Sequence, residues 1–151
     1  MKKLYHNIHK FLQQGTSPSE LAATIAIGVI IGVFPVYGTA TLICTLIAII
    51  FRLNLVVIQL ANYLSFPLLV ITMIPFYKLG NILFSESGFN WEFYELVNYF
   101  KTDFFQALQE LSLTIGYAAV VWLFFAPFGF IILYWISYPI IKRMAVKIKE
   151  Y

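Results

Sequence analysis

Charge is what this sequence has least of. Only 11% of its 151 residues are Asp, Glu, Lys or Arg, against about 25% in a soluble domain. The seven acids all fall outside three uncharged runs, 21–51, 53–77 and 112–141. Without an Asp or Glu in those runs, a carboxylate proton relay through them is not expected. Cysteine is nearly absent too. Cys44 stands alone, so no intrachain disulfide can form, and inside an apolar run it reads as a small buried hydrophobe. There is no Asn-x-Ser/Thr sequon and no Gly-rich loop followed by Lys to cradle a phosphate. No nucleophile sits with a plausible base, and no His/Cys/Asp/Glu cluster has ligand spacing. His6 and His9 are three apart, but two imidazoles without a third ligand make a weak metal site, and a solvated face explains them better. The chain is therefore expected to be no enzyme and to hold no metal and no cofactor.

What is present is apolar. Hydrophobic residues make up 61% of the chain and the mean hydropathy is +0.83, which points to an all-α integral membrane protein of a few helices. The net charge of +3 sits mostly at the two ends and suits an anionic lipid surface rather than nucleic acid. Basic residues precede the first apolar run, as in a secretory signal, but that run begins after a helical segment. No A-x-A site follows it, and Ile43 stands where lipoprotein cleavage wants a small residue, so the start is read as mature protein.

The organising stretch is Ser17–Arg52. Ser17, Pro18 and Glu20 form a capping box with proline in the first turn. Pro35, Tyr37 and Gly38 then divide the run into legs of about 26 Å (18–34) and about 20 Å (39–51). The second leg is too short to cross a hydrocarbon core of about 30 Å. The two legs are expected to form a re-entrant hairpin turning inside the bilayer, with its broken backbone sheltered by protein or facing a watery cavity. Gly28 and Gly32 give a GxxxG face for close helix packing.

Around this core, residues 1–16 read as a basic amphipathic helix lying in the interface. The membrane core runs over 17–84. Residues 85–111 are a loop and a second amphipathic helix (92–111) with an acidic face. A kinked transmembrane helix and basic tail fill 112–151, with a break at Pro127 and Gly129. Between 55 and 84 breaks are expected at Ser65–Pro67 and again at Pro75, and Gln59 and Asn62 should face the bundle interior, because a carboxamide facing lipid is costly. Basic ends put both termini of a multi-pass protein in the cytoplasm. In the preferred topology 55–84 crosses once and 112–141 crosses back. The other topology makes 55–84 a second hairpin.

Ser17-Pro18, Gly28-x-x-x-Gly32-x-x-Pro35-x-x-Gly38, Arg52-Leu53-Asn54, Pro67, Pro75 and Gly80 together resemble the bacterial DUF2062 membrane family, a domain of unknown function, over Ser17–Gly80. Many members carry Asn before the second proline. Here Phe66 takes that place, and the second break lacks the polar group. The resemblance implies a membrane fold and, because the family also occurs fused behind glycosyltransferase domains, an association with envelope polysaccharide or lipid-linked sugars.

Two functions follow. In the first, the broken hairpin serves a transporter- or flippase-like protein for an anionic or lipid-linked solute. Helix-end N–H groups at the break, with Pro35, Tyr37, Gly38, Thr39, Arg52, Asn54 and Asn62 as ligand-binding residues, would receive the anionic group. Thr41 and Lys78 could assist. So small a chain would act as a homo-oligomer. In the second, the chain is a non-transporting anchor or accessory for an envelope-building enzyme.

Overall fold

The computed structural model describes residues 17–36, 38–84, 102 and 104–149. The helix expected over 1–16, Tyr37, the loop over 85–91 and residues 92–101 of the second amphipathic helix lie outside them. The described chain forms helices α1 (Pro18–Gly32), α2 (Ala40–Ile50), α3 (Leu55–Leu64), α4 (Phe66–Phe84) and α5 (Phe104–Lys149), and no strand occurs among the described residues.

Each joint has a local cause. Ser17 caps α1. Its hydroxyl accepts from the Glu20 N–H at 3.2 Å, and its own N–H donates to the Glu20 carboxylate at 2.8 Å, so two donors that helix geometry leaves over are satisfied reciprocally. The bond from the Ser17 backbone, then that to its side chain, holds the Glu20 carboxyl below its ordinary value. At the end of α2 the Leu53 N–H reaches back to the Ala48 carbonyl (2.9 Å) and the Arg52 N–H to Ile49 (3.4 Å). This is a Schellman closure, and it puts Arg52 at φ 53°. Asn54 then starts α3, its Oδ1 accepting from the N–H groups of Val56 and Val57, both at 3.1 Å.

The chain breaks at Ser65, as the Ser65-Phe66-Pro67 sequence leads one to expect, but not at Pro75, which lies inside α4. Nor is there a joint near residue 111 or a break at Pro127 and Gly129. α5 starts within the expected amphipathic helix and continues through Pro127 and Pro139. A proline removes one hydrogen bond and strains the preceding turn, yet packing on both sides can hold the axis. Beyond Pro75, Phe76 stacks on Phe125 and Gly80 lies against Tyr117 and Ala118. Around Pro127, Trp122 and Tyr134 both bond to α1.

The packing gives directions. A Cβ on Gly28 would meet the Ile58 carbonyl and Ala61, and one on Gly32 would meet Ser65 and Asn62. So α1 and α3 run parallel, with their backbones close enough that only glycine fits. α2 runs back antiparallel to both and packs against each of them. α5 is antiparallel to both α1 and α4. Its second half lies along α1, from Gly129 beside Ile30 to Ile141 in a cluster with Leu21, Ala22 and Val57. Its first half lies along α4, Tyr117 stacking on Phe84. Ile31, Cys44, Ala48 and Ile58 form a second small core. Among the described residues only α4 and Leu111–Val146 of α5 are long and apolar enough to cross a membrane, and just 6% of each such window is buried inside the molecule.

Candidate functional site

The corner between α1 and α2 is built outward from Pro35. Proline has no N–H, so the Ile31 carbonyl loses the partner that a helix would give it. The Phe34 N–H turns to Ile31 instead, at 2.9 Å. That leaves the Ile30 carbonyl over, and the indole N–H of Trp122 on α5 donates to it at 3.1 Å. The Pro35 carbonyl in turn accepts from the Tyr77 hydroxyl on α4 at 3.0 Å. The Phe34 ring stands edge-on to Trp122 with centroids 4.7 Å apart. Pro35 is buried. The break is therefore clamped by one polar group from each of the two long helices.

Gly38 follows at φ 86°, exposed, and a Cβ there would meet nothing within 4 Å. It is needed for its left-handed backbone and not for space. Thr39 turns its hydroxyl back to the Val36 carbonyl (2.9 Å) and makes no side-chain cap on α2. The first turn of α2 thus begins without the donor-satisfying oxygen that Ser17 supplies to α1 and Asn54 to α3.

From the corner a polar ladder descends between α2 and α3. The Gln59 amide donates to the Thr41 carbonyl (3.0 Å) and to the Thr45 hydroxyl (2.9 Å), whose own proton goes to Thr41 (2.8 Å). The Asn62 amide donates to Gln59 Oε1 at 3.3 Å, and the Ser65 hydroxyl to the Asn62 carbonyl at 2.6 Å. Asn62 and Ser65 are buried. Every rung is uncharged. The ladder supplies hydroxyls and carboxamides and no fixed ion.

The residues singled out from sequence separate into three places. Pro35, Gly38 and Thr39 meet at the corner, and Tyr37 lies outside the described residues. Asn62 belongs to the ladder. Arg52 and Asn54 are at the other end of α2, about 19 Å from Thr39 along the helix, where they close α2 and cap α3. Gly28 and Gly32 are at the α1–α3 crossing. Lys78 is exposed and follows Tyr77. Sequence reasoning did not find the clamp. Neither Trp122 nor Tyr77 carries a role in that reasoning. The signal was available: an aromatic with a polar atom in an apolar run must find that atom a partner. Among the described residues no three His, Cys, Asp or Glu side chains gather as metal ligands.

A family model described as an uncharacterised protein conserved in bacteria (DUF2062) matches residues 1–149. The match thus extends past Ser17–Gly80, where the sequence motifs lie, to take in both ends of the chain. No curated protein and no solved structure matches the chain.

Proposed function

The chain belongs to that bacterial family, and on this premise we propose that it is a small multi-pass protein of the bacterial cytoplasmic membrane. In this reading it moves an anionic or lipid-linked solute, as a homo-oligomer and without catalysis. The exposed faces of α2, α3, α4 and α5 are apolar almost throughout, a surface far beyond what a soluble monomer shows and suited to lipid. α1, α2 and α3 have 15, 11 and 10 residues, or about 22, 16 and 15 Å. None reaches across a core of about 30 Å. Glu20, Arg52, Lys142 and Arg143 belong to one end of the bundle. Pro35 is about 22 Å along α1 from Glu20, so the corner stops short of the far headgroups and α1–α2 is a re-entrant hairpin. α4 then crosses, and α5 returns to leave both termini in the cytoplasm.

The observation that carries the transport reading is the corner itself. Its freed carbonyls are held by Tyr77 and Trp122, while the start of α2 beside it has no side-chain cap. Shelter for a broken backbone beside a helix start without a side-chain cap is the arrangement discontinuous transporter helices offer an anion. Pro35, Gly38 and Thr39 would form this site, and Asn62 would line the path from it. Arg52 and Asn54 act as the helix joints described above.

Reconstitution into vesicles with NBD-labelled phosphatidylglycerol in both leaflets tests it. Dithionite should bleach beyond the outer-leaflet share, faster than in protein-free vesicles. Gly38→Ala and Thr39→Val should slow this without lowering incorporation. Bleaching no different from empty vesicles, for this lipid and for a labelled polyprenyl phosphate, rejects transport. One feature favours the accessory role: α5 has 46 residues, about 69 Å, and reaches well outside any bilayer, where a partner enzyme could hold it.

A further inference from the structure

We infer that α2 is a hinged flap over the polar ladder, latched by Gln59. A left-handed residue stands at each of its ends, Gly38 at φ 86° and Arg52 at φ 53°, the only non-helical pivots between α1 and α3 with that backbone among the described residues. The space around Gly38 is open. α2 packs essentially on α1 and α3 and takes no part in the α4–α5 contact. Its buried side chains are Cys44 and Ala48, and the half-buried Ala40, Ile43 and Ile47 pack with them against Ile31 and Ile58. Leu42, Leu46, Ile49 and Ile50 on its outer face are exposed. In lipid these apolar contacts are exchanged for contacts with acyl chains, so they offer little resistance to its departure. What holds it is polar: the two bonds from the Gln59 amide to Thr41 and Thr45.

By contrast, α1 cannot part from α3 without unmeshing Gly28 and Gly32, and its C-terminal end is pinned by Trp122. The fixed and movable parts are thus distinct. When α2 swings out, Gln59, Asn62 and Ser65 become a wet groove of uncharged donors and acceptors, fit for a hydroxyl-rich or phosphate headgroup. The use of the opening rests on the transport reading above, whereas the opening itself does not.

Cys44 is fully buried under α2 and is the chain's single thiol, so its reaction with a membrane-permeant maleimide reports the opening in the intact protein. Gln59→Leu removes both bonds of the latch and Thr45→Val one of them, each keeping side-chain size. Each should speed Cys44 labelling about three- to tenfold, the worth of one or two interhelical bonds in a membrane. Thr72→Val, on α4, should leave it unchanged. Ala118, fully buried between α4 and α5, serves as the second reporter: in a Cys44→Ala background, Ala118→Cys should label at one slow rate with or without the latch variants. Unchanged Cys44 labelling in both latch variants overturns the flap. So does equal acceleration at residues 44 and 118, which would mean general loosening. Neither result bears on whether labelled lipid moves.

Discussion

Arg52 occupies a left-handed backbone position that costs a side chain about 1–2 kcal/mol, in the place a Schellman closure usually gives to glycine. If its role is the joint alone, Arg52→Gly should raise stability by about 1 kcal/mol, and Arg52→Val should lower it by about 1–2 kcal/mol, read as thermal unfolding in detergent. Loss of lipid movement in Arg52→Gly, with stability raised, would instead return the guanidinium to the site. The glycines separate in the same way. At Gly32 a Cβ would run into the Asn62 backbone carbonyl as well as Ser65, and a carbonyl cannot step aside, so Gly32→Ala should cost about 3 kcal/mol. At Gly116 it would meet nothing, and Gly116→Ala should stabilise α5 by up to about 1 kcal/mol. Glu20 adds a pH dependence. Its carboxyl is held below 4.5, so the stability it contributes is complete above that value and is lost as pH falls through the lowered one. Unfolding temperature against pH should therefore fall off in acid more steeply for the native chain than for Glu20→Gln.

At the scale of elements, the clamp on the corner is the main energetic commitment. Trp122→Phe keeps a ring against Phe34 but removes the donor to Ile30, and Tyr77→Phe removes the donor to Pro35. Each leaves a carbonyl without its partner and should cost about 1–3 kcal/mol. The double variant should lose more than either, with the corner opening to maleimide at Val36→Cys in a Cys44→Ala background. The helix starts were readable in the sequence, because Ser17-Pro18-x-Glu20 and Asn54 act within one turn of themselves. The turn after Gly32 was readable for the same reason. The clamp was not, since which carbonyl Pro35 frees follows locally, but which donor reaches it depends on Trp122, 92 residues further on. Prolines misled in the opposite direction. Pro75 and Pro127 look like breaks when judged by their own backbone, and only the packing of α4 on α5 and of α5 on α1 keeps those helices whole.

At the scale of the molecule, the sequence conveyed the all-helical class and the apolar surface, because both are properties of composition. It could not convey that α3 runs beside α1, or that α5 leans on α1 with one half and on α4 with the other, because those follow from long-range contacts. Sequence expectation had grouped Arg52 and Asn54 with the corner for want of this layout. The proposed topology makes a direct prediction. In a Cys44→Ala background, Ser87→Cys should react with an impermeant maleimide only from outside the cell, and Lys149→Cys only after the cytoplasmic face is opened. Reaction of both from the same face would mean that 55–84 turns back.

The contrast in helix length has a consequence for the lipids that suit this protein. A rod as long as α5 can meet thicker or thinner surroundings by leaning more or less. In the proposed topology, three stubs that stop short of the far headgroups have no such freedom. As acyl chains lengthen, α5 should stand more upright while the hairpin keeps its depth, so the distance from its corner to the far headgroups grows. The step left for a solute beyond the corner then widens with every added methylene. Under the proposed transport, short-chain lipids should speed lipid movement, and long-chain lipids should abolish it before they disturb the fold.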